Sequence, residues 1–145
     1  MKRLLSCILG TAALLLGTAT GCIPEEEDYF LRWMLLNDTD TVLYFAFGDG
    51  MPFAAEPGAY RLLGAATLPP DAEPDAALLF ERHPEYRTLS VSVAPDGPPL
   101  RTWKKAYGDA PGRQFFDSTQ WADENRDSHD CDYIFRITPE DIADE

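Results

Sequence analysis

The chain has 145 residues, 45% of them hydrophobic and 26% charged, and a formal net charge of −13 from 25 acidic and 12 basic side chains. That is the composition of one globular domain with an appendage. A chain this acidic is repelled by nucleic-acid backbones and anionic lipid headgroups, which excludes both as electrostatic partners.

The appendage comes first. Met1-Lys2-Arg3 is a basic start, Leu4 to Leu16 an apolar stretch interrupted by Ser6, Gly10 and Thr11, and Gly17-Thr-Ala-Thr-Gly21 a small-residue exit. This is the layout of a secretory signal peptide over residues 1–21. A retained spanning helix would need ~20 apolar residues, and Thr and Gly crowd the end of this run. Cys22 follows directly, and Ala19-Thr-Gly-Cys22 resembles a bacterial lipobox, although lipoboxes most often place Leu where Ala19 stands. The resemblance implies that the Cys22 thiol carries a diacylglycerol and that the chain is cut just before it. Cys7 sits too early to serve. Two acyl chains, at ~0.8 kcal/mol per buried methylene, suffice for stable anchoring where one does not.

Cleavage there removes two of the 12 bases and none of the 25 acids, leaving a net charge of about −15. It also leaves only Cys22 and Cys131, so no intrachain disulfide is expected. Residues 22–29 then form a lipidated cysteine and acidic tether, Pro24-Glu-Glu-Glu-Asp28, with too little apolar content to pack. Such a cluster resembles the signal that exports Bacteroidetes lipoproteins to the outer leaflet of the outer membrane. That signal usually mixes acids with Ser, Lys or Gln, whereas Ile23 and Pro24 stand at its start here.

Residues 30–145 read as a single domain. Phe30 to Leu36 and Thr41 to Phe47 are strand-length runs around Asn37-Asp-Thr-Asp40 and predict a buried hairpin. Tyr60 to Leu63 is a weaker strand. Residues 69–74 form a connection, and Pro74 to Arg82, without a β-branched residue, predicts a short helix ended by Pro84. Arg87 to Val93 alternates, placing Leu89, Val91 and Val93 on one face. Pro95-Asp-Gly97 turns the chain toward a return strand at Leu100 to Lys105. Asp117 to Trp121 suggests a capped helical turn, Tyr133 to Thr138 alternates again, and Thr138-Pro-Glu-Asp141 starts a single closing turn. Five or six short strands argue for a mainly β, two-layer antiparallel sandwich, immunoglobulin-like or similar, with one or two short helices.

Asn37-Asp-Thr-Asp-Thr-Val-Leu-Tyr-Phe45, Thr88 to Val93, Leu100-Arg-Thr-Trp103, Phe115-Phe116 with Trp121, and Phe135 to Ile142 together resemble a group of small Bacteroidetes outer-membrane lipoproteins of unassigned function. The resemblance spans most of the mature chain and implies an anchored β domain without catalytic residues.

Chemistry-bearing motifs are sparse: no phosphate-binding glycine loop, no His-Glu-x-x-His and no Gly-x-Ser-x-Gly. Gly48-Asp-Gly50 lacks a third glycine. Ser128-His-Asp130 holds triad residue types, but adjacent side chains point apart. Asp123, Asn125 and Asp127 copy the start of a calcium loop that fails at Ser128, where Gly is needed, and at Ile134, where Glu is needed. His129 and Cys131 would share a strand face as two soft ligands, short of a zinc site, with His83 far along the chain. The acidic loop 123–132 is therefore read as solvated, with no metal and no cofactor. Trp33, Trp103 and Trp121 are expected in the core, the alternative being a sugar-stacking platform. The expected function is a lipid-anchored, non-enzymatic accessory or interaction module of the outer membrane, facing the cell surface, with an unknown protein or glycan partner. The alternative is a surface carbohydrate-binding or glycan-processing protein.

Overall fold

Leu31, Trp33 and Leu35 recur at every second position and all are buried, so β1 (Tyr29–Asn37) commits one face to the interior. The computed structural model describes residues 26–126 and 129–143; the leader 1–21 and Cys22 lie outside them. After β1 come β2 (Leu43–Phe47), β3 (Phe53–Ala55), β4 (Tyr60–Leu68), helix α1 (Leu78–Arg82), β5 (Thr88–Ser92) and β6 (Arg101–Lys104). A 3-10 turn at Ser118–Gln120, β7 (Ala122–Glu124), β8 (Asp130–Ile137) and α2 (Pro139–Ile142) follow. The strands make two four-stranded sheets, ordered β4-β1-β8-β7 and β3-β2-β5-β6. This is the expected mainly β sandwich.

Its core lies between the sheets. Phe135 of β8 meets Trp103 of β6 edge-on at 5.9 Å and Phe115 at 5.4 Å, so the two layers are joined through aromatic rings. Phe80 of α1 packs on Phe115, Phe116 and Trp121 and closes one side. Each such ring or branched aliphatic chain, fully buried, contributes about 1.5–3 kcal/mol. The capped turn at Ser118–Gln120 forms as expected, with Asp117 accepting from the Thr119 N–H at 3.1 Å. At the C-terminus, the Thr138 N–H donates to the Asp141 carboxylate at 2.9 Å, starting α2.

Several expectations are corrected. The first two strands are not a hairpin: β1 and β2 lie in different sheets and residues 38–42 form an arch. Asn37 holds that arch, donating from Nδ2 to the Thr41 and Ala55 carbonyls at 2.8 and 2.9 Å. Among the described residues there are eight strands, because β3 and β7 are only three residues long and too short to show alternation. β4 runs through Gly64 to Leu68, with an irregularity opposite Trp33 and Met34 that lets β1 pair along most of it. Pairing is antiparallel except between β1 and β8, which run parallel from Phe30 opposite Asp130 to Asn37 opposite Ile137. The helix is shorter than read: residues 75–77 form a turn in which Asp75 accepts from the Ala77 N–H at 2.7 Å. Val93 is 52% exposed, since the Ser92 hydroxyl bonds to the Ala94 carbonyl and turns the chain outward.

Candidate functional site

The three tryptophans belong to the core. Trp33 and Trp103 are 1% exposed and Trp121 6%, and the latter two spend their indole N–H groups on the Arg113 and Phe115 carbonyls, each at 2.8 Å. They offer no stacking platform.

Among the described residues, the acidic loop does not converge on one point. Asp123 pairs with Arg126 at 3.0 Å. Asn125, at φ 62°, donates from Nδ2 to Asp132 at 2.7 Å. Asp127 and Ser128 lie outside the described residues, and with them the centre of the calcium-loop and Ser128-His-Asp130 readings. His129 and Cys131 do not share a strand face. His129 precedes β8 with φ 59° and packs its ring on Tyr29, while Cys131 is fully buried. Burial, with the Asp123 carboxylate nearby, pushes the Cys131 thiol pKa up and keeps it protonated. His83 bonds Glu85 at 2.9 Å and stacks on Tyr86. Among the described residues, no three His, Cys, Asp or Glu side chains are grouped to hold a metal.

A different feature emerges from the basic residues. With acids outnumbering bases, every base has carboxylates available to it, yet among the described residues only Arg32, Arg113, Arg126 and Arg136 form ion pairs with them. Four of those that do not lie together: Arg101 and Lys104 on β6, Lys105 just after it, and Arg87 just before β5, opposite Lys105. β6 is the outer strand of its sheet. Thr88 sits opposite Lys104, and the Lys105 N–H donates to the Arg87 carbonyl at 2.8 Å, which brings the two segments together. Arg101 and Lys104 line a cavity of about 580 Å³ with Tyr107 and Gln114. Arg87, Lys104 and Lys105 line another of about 560 Å³, and the two meet at Lys104 and Ala106.

Two of these charges are held by carbonyl groups. Arg101 donates to the Pro111 carbonyl at 2.9 Å and the Arg113 carbonyl at 3.3 Å, and its guanidinium lies 5.3 Å from the Trp103 ring centre. The Lys105 ammonium donates to the Phe80 carbonyl at 3.2 Å. Carbonyls orient a cation without cancelling its charge. The one carboxylate lining the groove, Asp141, is buried and spent on Arg113 and Thr138. The result is a positively charged strip on an acidic protein, able to bind an anion that the rest of the surface repels.

Sequence reasoning passed over this strip because Arg101 to Lys105 reads simply as a return strand. A signal was present: Lys104 and Lys105 are the only lysines after Lys2. Comparison of the chain with protein-family models, curated proteins and solved structures finds no match.

Proposed function

We propose that the chain is a lipid-anchored outer-membrane protein of the Bacteroidetes type, held through acyl chains on Cys22 and facing the cell surface. In this reading it acts as a non-catalytic binding module that takes an anionic partner along β6. The observation that carries the binding part is the gathering of Arg101, Lys104 and Lys105 on and just after the open strand β6, with Arg87 beside them just before β5, none of them paired to a carboxylate among the described residues. The anchoring part rests on the sequence around Cys22.

Two variants of the full-length protein test these parts separately. Cys22→Ser should abolish fatty-acid labelling and release the protein from membranes or leave it as uncleaved precursor. Labelling that persists in Cys22→Ser refutes the anchor. Arg87→Glu with Lys104→Glu should keep the label and membrane fractionation while losing the anionic partner; these side chains are exposed and form no hydrogen bond among the described residues.

The glycan reading keeps one observation. A polar cleft of about 410 Å³ on the outer face of the β2–β5 pair is floored by Tyr44, Ser90 and Ser92 and flanked by Asp49 and Asp96. A ring with hydroxyl and carboxylate groups around it suits a sugar. Binding of neutral oligosaccharides that Tyr44→Ala abolishes, with no response to Lys104→Glu, would favour this second reading.

A further inference from the structure

Resting on the reading of β6 as an anion-binding edge, we propose that it captures an extended acidic segment of a partner protein, which adds to the β3-β2-β5-β6 sheet as a fifth strand.

The backbone supplies the first reason. The Lys105 N–H bonds to Arg87, and Trp103 and Arg101 stand opposite Leu89 and Val91. In an antiparallel pair, alternate residues turn their N–H and C=O groups toward the neighbour. Residues 101, 103 and 105 therefore face β5, and Thr102 and Lys104 present theirs to the open edge. Among the described residues no backbone group bonds to either of them there. That edge is a template for main-chain hydrogen bonds.

The side chains supply the second. Trp103 is buried with Leu89 and Val91, so Arg101, Trp103 and Lys105 project toward the interior side of the sheet, and Thr102 and Lys104 toward its outer side. An added strand would meet Arg101 and Lys105 on the interior side and Lys104 on the outer side. Acidic side chains at alternate positions share one face of that strand, and with that face outward they stand against Lys104.

The other edges lack this combination. β3 and β7 are three residues long, and β7 carries Asp123 and Glu124. β4 has a single base, Arg61, and its Nε donates to the Ala54 carbonyl of β3. A lysine on an edge strand commonly guards against self-association. Here the same charge that sets Lys104 against its own copy selects an acidic partner.

The test uses the full-length lipidated protein in detergent and a fluorescent peptide of alternating glutamate and valine about eight residues long. Two further peptides are N-methylated, each on one of the two alternate sets of amides. Strand addition predicts salt-sensitive binding that one N-methylated peptide loses and the other keeps. It also predicts roughly tenfold weakening by Lys104→Glu. Thr102→Pro, which removes an edge N–H at a position where proline is tolerated, should lose binding with an unchanged melting temperature. Equal binding of both N-methylated peptides overturns strand addition and leaves the anion-binding reading standing. Binding of an anionic polysaccharide or polyphosphate without binding of the peptide overturns the protein partner. Failure of every anionic probe overturns both readings and leaves Lys104 as a guard of the edge.

Discussion

Asn37 ends β1 in one sheet, Ala55 ends β3 in the other, and the Asn37 amide donates to the Ala55 carbonyl at 2.9 Å. The same fully buried side chain donates to the Thr41 carbonyl and accepts from the Thr39 N–H and hydroxyl, so four hydrogen bonds meet on one side chain. Asn37→Ala should cost about 2–4 kcal/mol, since it strands the buried Ala55 carbonyl and frees the arch. Asn37→Asp should destabilise comparably, because it loses the donor that the buried Ala55 carbonyl requires. Denaturant unfolding checks both; a loss under 1 kcal/mol for either would show that the arch does not depend on Asn37.

Arg32 and Asp132 face each other across the parallel pair, bonded twice, Nε to Oδ1 at 2.5 Å and Nη2 to Oδ2 at 2.9 Å. Asp132 is buried on the outer face of its sheet while the Arg32 side chain is partly in solvent. The two substitutions therefore differ. Arg32→Met strands a buried carboxylate that, among the described residues, keeps a hydrogen bond only from Asn125, and should cost about 2 kcal/mol after discounting the fully buried figure for solvent screening. Adding Asp132→Leu to Arg32→Met should recover stability, because the uncompensated charge is gone. A double variant less stable than Arg32→Met would contradict this.

Trp33 Nε1 and Tyr133 Oη are buried without hydrogen-bond partners among the described residues, on opposite residues of β1 and β8 whose rings stack at 6.2 Å. Tyr133→Phe removes one orphan and should stabilise by about 1 kcal/mol. Burial, with Asp123 nearby, raises the Tyr133 pKa above its ordinary value of 10.0. Above that pH the unfolded chain sheds a proton that the native state retains, so stability is full below it and falls as pH rises toward the folded pKa. Tyr133→Phe should flatten the fall in melting temperature above that pH. An unchanged alkaline slope would place its origin elsewhere.

The Cys131 thiol, fully buried with a raised pKa, should resist thiol reagents in the native protein. If Cys22 is acylated and Cys7 is removed with the leader, as proposed, denatured protein should titrate one reactive group. Two groups would contradict acylation of Cys22.

The alternation of Leu89 and Val91, the Pro95-Asp-Gly97 turn and the Thr138 to Asp141 cap were legible in the sequence, because each is a local preference satisfied by local contacts. The arch at Asn37 was not. The same residues allow a hairpin or a crossing between sheets, and the choice depends on Ala55 and on β8 taking the place beside β1. Asp132 and Ile134 face outward yet are buried, Asp132 through an arginine distant in sequence, so the alternation in β8 understated its burial. The cationic edge was half legible: Arg101, Lys104 and Lys105 are neighbours in the sequence, but Arg87 reaches them only by strand pairing.

Retention on immobilised polyglutamate tests the central claim most directly, because net charge and local charge predict opposite results. A chain of net charge −13, judged by its total, is not retained at any ionic strength. If β6 binds anions as argued, the full-length lipidated protein is retained at low salt, released as salt rises, and not retained as Arg87→Glu with Lys104→Glu. Flow-through of the unaltered protein at the lowest salt, or equal retention of the double variant, would contradict it.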